Sequence, residues 1–496
     1  MIDRLSPLDA AFLWVEGENN PMHVGSVAIF EGPPPGYGDL VRLVLAKLHL
    51  VPRYRQKVRF VPLGLGRPVW VDDPHFQILY HLRHTAVPKP GAEEQLRNLA
   101  GRVLAQHLDR TKPLWEMWLV EGLRDDRWAL IAKTHHSMVD GVGGVDLLSV
   151  LFDQSADAAP SHEVPWTPSR EPTDAELLAG AFADTLRSPL TRLQALPIAA
   201  RAPLPGPLES LDVWRGLVAA LTRPAATPDS LNGPIGPHRR WSWVKGSLAD
   251  AREIRSVLGG TVNDVVLAAI TRGFRELILG RGEEVTGRVV RTMVPISVRS
   301  QEERGKPGNQ LSCVFPELPI SVEDPIERLE EIRRQTVGLK ESKQAVAAGQ
   351  LAEMAGFAPA LWLALTGRLA ARVPQRLVQA LTSNVPGPQQ PLYALGKRLL
   401  DCYPYAPIGG NARAGIVVFS YAGQLNFGVA VDYDSVPDVE VLCRGVEAGI
   451  AELLQVARGR AAKPVPASRV AAGKRALRTS SRSEAGLGPQ PARRPQ

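Results

Sequence analysis

Two adjacent histidines, an aspartate four residues beyond the second, and a glycine beside it are the part of this chain best equipped for chemistry: His135-His136-Ser137-Met138-Val139-Asp140-Gly141. The apolar run Arg127 to Thr134 before them reads as a β-strand, and Val142-Gly143-Gly144 after them is glycine-rich. Asp and Gly tolerate the backbone angles of a sharp turn, so a strand would hold an imidazole rigidly while the turn exposes it. That is the arrangement expected of a general base. A shared metal ion is the competing use of paired histidines. Adjacent residues on extended backbone point to opposite faces, which argues against one ion between them. A purely structural histidine pair is the remaining alternative.

Elements must then position this turn. His23 to Phe30, Lys57 to Val61, Pro68 to Val71 and Met117 to Glu121 read as strands, and Asp39 to Leu50 and Glu93 to Leu108 carry helical apolar spacing. Val145 to Phe152 begins a helix behind the turn. Proline is dense between Ser155 and about His238, interrupted by helical pieces at 174–196 and 208–221. This predicts a crossover between domains. The second half offers strands at 241–248, 289–298, 311–316 and 378–388, a hairpin from 416–420 to 425–432, and helices at 249–258, 261–279, 324–342 and 439–457. Thr261 is a fitting N-cap for the third-from-last of these helices, which puts Asn263 and Asp264 in its first turn.

The chain has 496 residues, 44% of them hydrophobic and 22% charged. That length calls for more than one core, and the composition is that of a water-soluble globular protein. The formal charge of +7 is misleading. Nine basic residues and one acid lie after residue 458, which leaves 49 basic and 50 acidic residues before it. The tail is rich in Ala, Pro, Ser and Gly and reads as solvated, with contact to an anionic lipid surface as the sharper alternative. No aromatic residues are interleaved with its charges, so nucleic acid is not expected as a partner. The three scattered cysteines and the lack of a signal-peptide pattern suit a cytoplasmic protein. No apolar run reaches the roughly 18 residues that span a bilayer. Ala355 to Arg376, with Arg368, Arg372 and Arg376 at every fourth position, is the candidate for interfacial lipid contact.

The pattern HHxxxDG resembles the active-site motif of the chloramphenicol acetyltransferase superfamily, which includes peptide-synthetase condensation domains. Within it, Leu5 to Trp14 (LSPLDAAFLW), Pro113-Leu114-Trp115, Leu231 to Gly236 (LNGPIG), Asn263-Asp264 and Ser383 to Pro388 (SNVPGP) are together similar to bacterial wax ester synthase/diacylglycerol acyltransferase sequences. The resemblance spans about residues 1–458. It implies an α/β protein with two chloramphenicol-acetyltransferase-like domains, each a mixed sheet with helices, joined by the Pro-rich crossover. The boundaries expected are 1–154, 155–238 and 239–458, followed by the basic tail at 459–496.

The resemblance further implies acyl transfer from acyl-CoA to the hydroxyl of diacylglycerol, with long-chain alcohols as second acceptors and no cofactor beyond the acyl-CoA substrate. His136 is then the base, His135 a supporting residue and Gly141 the turn. Asp140 structures the loop through an arginine, for which Arg53, Arg55 and Arg299 are candidates. Asn263, near a helix N-terminus, is the candidate oxyanion donor, with simple helix capping as the alternative for the Asn263-Asp264 pair. Gly143, Gly144, Asp264 and Trp115 are candidate substrate contacts, although Trp115 suits packing better than ligand contact. A carrier-protein-fed condensation reaction and a non-catalytic lipid-body protein are the alternative functions. Peripheral contact with the inner membrane or lipid bodies is the expected setting, and the oligomeric state is left open.

Overall fold

The computed structural model describes residues 3–139, 150–157, 162–183, 226–297, 311–341 and 378–461. In the first half the elements run β1 (Asp3–Arg4), α1 (Pro7–Val15), β2 (His23–Glu31), α2 (Tyr37–Lys47), β3 (Gln56–Arg59), β4 (Val69–Asp72), β5 (Leu82–Ala86), α3 (Glu93–Ala105), β6 (Trp115–Leu123) and β7 (Arg127–His135). The second half gives β8 (Arg239–Ser247), α4 (Leu248–Leu258), α5 (Val262–Gly280), β9 (Val290–Ser297), β10 (Leu311–Val314), β11 (Glu317–Leu318) and α6 (Pro325–Glu341). It ends with β12 (Ala380–Pro386), β13 (Tyr393–Ala394), β14 (Lys397–Tyr405), β15 (Ala414–Tyr421), β16 (Gln424–Asp432) and α7 (Val439–Ala461).

These strands form two large mixed sheets and one small one, the α/β class that the sequence predicts. The six-stranded sheet has the order β13-β14-β2-β7-β6-β5, with β5 parallel to β6 and its other pairs antiparallel. The seven-stranded sheet runs β10-β9-β12-β15-β16-β8, with β11 also on β9. Here β12 is parallel to both its neighbours. The small sheet is β1-β4-β3.

β7 lies at the centre of the first sheet and is buried from Trp128 to His135. Its side chains alternate between two apolar clusters, as a strand covered on both faces requires. Trp128, Leu130 and Ala132 join Leu40, Val44 and Leu48 from α2 and the residues after it. Ala129 and Ile131 face Leu96, Val103 and Leu104 of α3 together with Trp241 and Trp243 of β8, Tyr403 of β14 and Ala430 of β16. The two halves therefore share a core. The same alternation puts Lys133 on the α3 side, where its ammonium donates to the carbonyls of Val103 and Gln106.

The helical reading of 261–279 is matched by α5, which buries Val265 to Ile270, Phe274, Leu277 and Ile278. It crosses α7 where glycines remove side chains from both backbones. A Cβ on Gly445 would sit 2.7 Å from the Cα of Gly273. β14 was not expected from the sequence and is supplied to the first sheet by the second half of the chain. Residues 184–225, half of the expected Pro-rich crossover and the whole of the helical piece expected at 208–221, lie outside the described residues. So do 140–149, 298–310, 342–377 and 462–496.

Candidate active site

α1 begins with an N-cap at Ser6, whose hydroxyl accepts the Asp9 N–H at 3.1 Å, and with Pro7 in its first turn. Pro has no N–H to lose there, and Asp9 meets the positive end of the helix. One face of the helix buries Ala10 and Leu13 against Leu5, Val58, Trp70, Leu108 and Leu114, with Met138 packed on the same cluster. Another face carries Phe12, whose ring stacks on that of His136 at 3.9 Å and 21°.

β7 ends at His135, and the chain turns at once into a single 3-10 turn, His136–Met138. Two backbone hydrogen bonds anchor this junction: His135 N–H donates to Leu114 O at 2.9 Å, and His136 N–H to Met22 O at 2.8 Å. His135 caps the turn itself, its Nδ1 accepting the Ser137 N–H at 3.1 Å with Ser137 Oγ at 2.7 Å. Nδ1 therefore has its lone pair turned to Ser137, which leaves the ring proton on Nε2. His135 is fully buried, whereas His136 is half-buried and covered by Phe12. Burial, helped by neighbouring His135, lowers the His136 pKa to about 4. The imidazole is thus neutral at physiological pH, with a free lone pair, as a base must be.

A carboxylate lies behind the histidines. Glu16 follows α1 directly and is almost fully buried, 4% exposed along its side chain. Its Oε1 accepts the Met22 N–H at 2.9 Å, and its Oε2 accepts Arg110 Nε at 2.9 Å and also Nη2. His107 Nδ1 lies 3.5 Å from Oε1, and His135 Nε2 3.6 Å from Oε2. Burial alone would raise this carboxyl. The surrounding donors, His107 and His135 first among them, outweigh it and hold Glu16 well below the usual carboxylate range. The same contact raises His107, chiefly through its hydrogen bond to Glu16 and against the opposing effect of burial.

The other predicted residues separate. Asn263 occupies the first turn of α5, and its Oδ1 lies 3.5 Å from Asn384 Nδ2 on β12. Among the described residues no hydrogen bond joins Asn263 to the histidine turn. One apolar cluster extends to both neighbourhoods, since it includes Leu151 and Tyr421 and has Met138, Phe419 and Ala422 packed against it. Asp264 takes the capping role that was the alternative to its reading as a substrate contact. It is 3% exposed and completes a reciprocal cap, accepting Thr261 N–H and Oγ1–H at 2.8 Å each on Oδ2 and the Thr336 hydroxyl at 2.8 Å on Oδ1. Trp115 is placed as the packing reading expects. It is 1% exposed, stacks on His81 at 4.6 Å and donates its indole N–H to Tyr54 O at 2.9 Å, which makes it a packing residue.

Of the arginines offered to Asp140, Arg53 is engaged elsewhere, with Asp3 at 2.8 Å, Gln56 at 2.8 Å and the Trp70 ring. Arg55 is buried, with its guanidinium over Trp166 at 5.1 Å. Asp140, Gly141, Gly143, Gly144 and Arg299 lie outside the described residues. Sequence reasoning missed Phe12, Glu16 and Arg110. Their only signal was position, since Phe12 and Glu16 sit in and just after the stretch LSPLDAAFLW. It quoted Asn384 within a motif but gave it no role.

A neutral imidazole at the end of a rigid strand does not by itself fix a family, and comparison with known proteins decides it. The model of the wax ester synthase/diacylglycerol acyltransferase catalytic domain matches residues 5–266, and that of the WS/DGAT C-terminal domain matches 307–454. The chain belongs to the wax ester synthase/diacylglycerol acyltransferase family. It is 36% identical over 461 residues to a probable diacylglycerol O-acyltransferase of Mycobacterium tuberculosis, covering 92% of this chain and 97% of the relative. A second from that organism is 31% identical over 466 residues, covering 92% and 99%. Among solved structures, the wax ester synthase/diacylglycerol acyltransferase from Marinobacter aquaeolei VT8 superposes with a TM-score of 0.63 at 26% identity, covering 92% of this chain and 99% of that one. The first condensation domain of the calcium-dependent antibiotic synthetase shares the fold, with a TM-score of 0.54 at 15% identity and coverage of 93% and 98%.

Proposed function

We propose that this family member transfers a fatty acyl group from acyl-CoA to the free hydroxyl of diacylglycerol, forming triacylglycerol, and acts on long-chain alcohols in the same way to form wax esters. Full-length similarity to named diacylglycerol O-acyltransferases supports the reaction. The observation that carries the mechanism is the neutral, half-buried imidazole of His136 at the end of β7, covered by Phe12. The acceptor hydroxyl gives its proton to His136 while its oxygen attacks the thioester carbonyl. The tetrahedral oxyanion collapses, the C–S bond breaks, and the imidazolium returns the proton to the departing thiolate as CoA-SH. A thioester is already activated, so a positioned base contributing on the order of 10²–10⁴-fold suffices without a covalent enzyme intermediate. Asn263 is the proposed oxyanion donor. Acceptance by its Oδ1 from Asn384 would leave its own N–H pair for the developing charge. Diacylglycerol resides in lipid, so the proposed setting is cytoplasmic, at the inner membrane or a lipid-body surface.

Incubating the purified protein with labelled palmitoyl-CoA and either diacylglycerol or hexadecanol, then separating products, tests the reaction. Labelled triacylglycerol is expected. Transfer only from an acyl-carrier protein, or no ester at all, would overturn it.

The pH profile tests the base separately. A base works unprotonated, and the folded His136 pKa of about 4 lies below the ordinary 6.5 or so. Because kcat/KM reports the free enzyme, it should stay nearly level from pH 7.5 down to 5.5 and then fall tenfold per unit below about 4. An ordinary histidine would already have lost roughly nine-tenths of its unprotonated form at pH 5.5. A break near 6.5 would show that burial does not set this group.

A further inference from the structure

We propose that Glu16 is a positioning residue for acyl transfer: its carboxylate holds His135 in the Nε2–H form and, through His135 and Met22, aims the ring of His136. This rests on the reading of His136 as the base.

Two lines of contact run from the carboxylate to the base. The first is side chain to side chain. His135 Nε2 is fully buried, makes no hydrogen bond among the described residues, and faces Glu16 Oε2 at 3.6 Å. That is about half an ångström beyond a hydrogen bond, a gap that a substrate-bound site closes readily. With its proton drawn to Glu16, the ring presents Nδ1 as an acceptor to Ser137 N–H, and that bond holds the His136–Met138 turn. If the proton moved to Nδ1, two donors would face each other and the turn would lose its cap.

The second line is through the backbone. Glu16 Oε1 accepts Met22 N–H, and Met22 O accepts His136 N–H, so one residue bridges the carboxylate to the backbone of the base. Arg110 keeps the carboxylate in place, binding Oε2 and also the Leu13 carbonyl at 3.0 Å near the end of α1. Phe12 on that helix stacks on the His136 ring. Helix, carboxylate and turn form one clamp around the imidazole.

The experiment begins with the unaltered protein. Nitrogen-15 spectra of labelled histidine, with the His135 signal identified by its loss in His135→Ala, should show the Nε2–H form. An Nδ1–H form would overturn the proposal. Glu16→Gln keeps the volume but replaces one acceptor by a donor. It should lower kcat by about 10²-fold, the cost of a misplacement near 1 Å, while KM for palmitoyl-CoA changes less than about twofold. The His135 signal should move towards the mixed forms, and Glu16→Asp should recover part of the rate. Retention of kcat within about threefold in folded Glu16→Gln would overturn the proposal. If Glu16→Gln does not fold, the wild-type signal and Glu16→Asp decide: an Nδ1–H signal, or a Glu16→Asp variant with full rate and an unshifted signal, counts against it. The same spectra recorded in His136→Ala keep the two readings apart. An active His136→Ala removes the base, whereas the His135 signal there still reports on Glu16.

Discussion

Replacing His136 by Ala should lower acyl transfer by about 10³-fold or more and leave the protein folded. The loss follows from its place in the reaction. An aliphatic hydroxyl is a poor nucleophile at neutral pH, and a positioned imidazole supplies on the order of 10²–10⁴-fold. In the proposed mechanism the same ring also returns the proton to the thiolate, so both halves of the exchange would suffer. Folding survives because the bond that fixes this residue, His136 N–H to Met22 O at 2.8 Å, uses the backbone alone. The stacking contact with Phe12 is lost, costing about 1 kcal/mol. Product separation from labelled palmitoyl-CoA, paired with a thermal melt, reads both effects. Activity within a few-fold of wild type in a folded variant would remove His136 from the mechanism.

The second large effect concerns the fold. Gly428→Ala should destabilise the protein by about 3 kcal/mol or more, or abolish soluble expression. Gly428 lies in β16 with its neighbours Val417 and Trp243 in register on either side. A Cβ built there would sit 1.6 Å from the carbonyl oxygen of Pro404 in β14. That oxygen belongs to backbone paired with β2, so it has no rotamer by which to move away. Overpacking of a well-filled core typically costs 1–3 kcal/mol, and a clash with ladder backbone lies at the upper end. The residue is required for space and not for an unusual φ, since it is extended strand. A melting temperature within about 2 °C of wild type would refute the close approach of the two sheets.

Much of the site could be read from the sequence because it is local. The strand ending in two histidines, the Thr261 cap and the helix after it follow from side-chain types at fixed spacing, and the structure contains all three. Glu16 could not be found that way. It meets His135 across 119 residues, and nothing in its flanks distinguishes a buried carboxylate from a solvated one. For Trp115 and Asp264 the sequence left two uses open, since their types suit a substrate contact as well as packing or capping. The structure engages the indole N–H and closes a cap with the carboxylate. β14 escaped notice because its alternation is broken. Asp401 and Pro404 interrupt the apolar pattern, and the register with β2 shifts between Leu399 and Asp401. A bulge of that kind leaves no period-2 trace.

That strand has a consequence for biosynthesis. Leu399 pairs with Phe30, 369 positions earlier, so β2 waits unpaired on one side while most of the chain is still being made. Until then the nascent first half presents a buried-type strand, His23–Glu31, as an open edge, the form of backbone most prone to pair with a neighbour. Pairings so distant in sequence close slowly, and ribosome-bound or truncated chains are exposed to aggregation for that interval. A fragment ending before residue 397 would carry the whole HHSMVDG motif and still lack the strand that completes its sheet. Catalytic competence in this protein is thus acquired late, when the carboxy-terminal portion arrives, and recombinant production should be limited by that final step more than by the stability of the finished molecule.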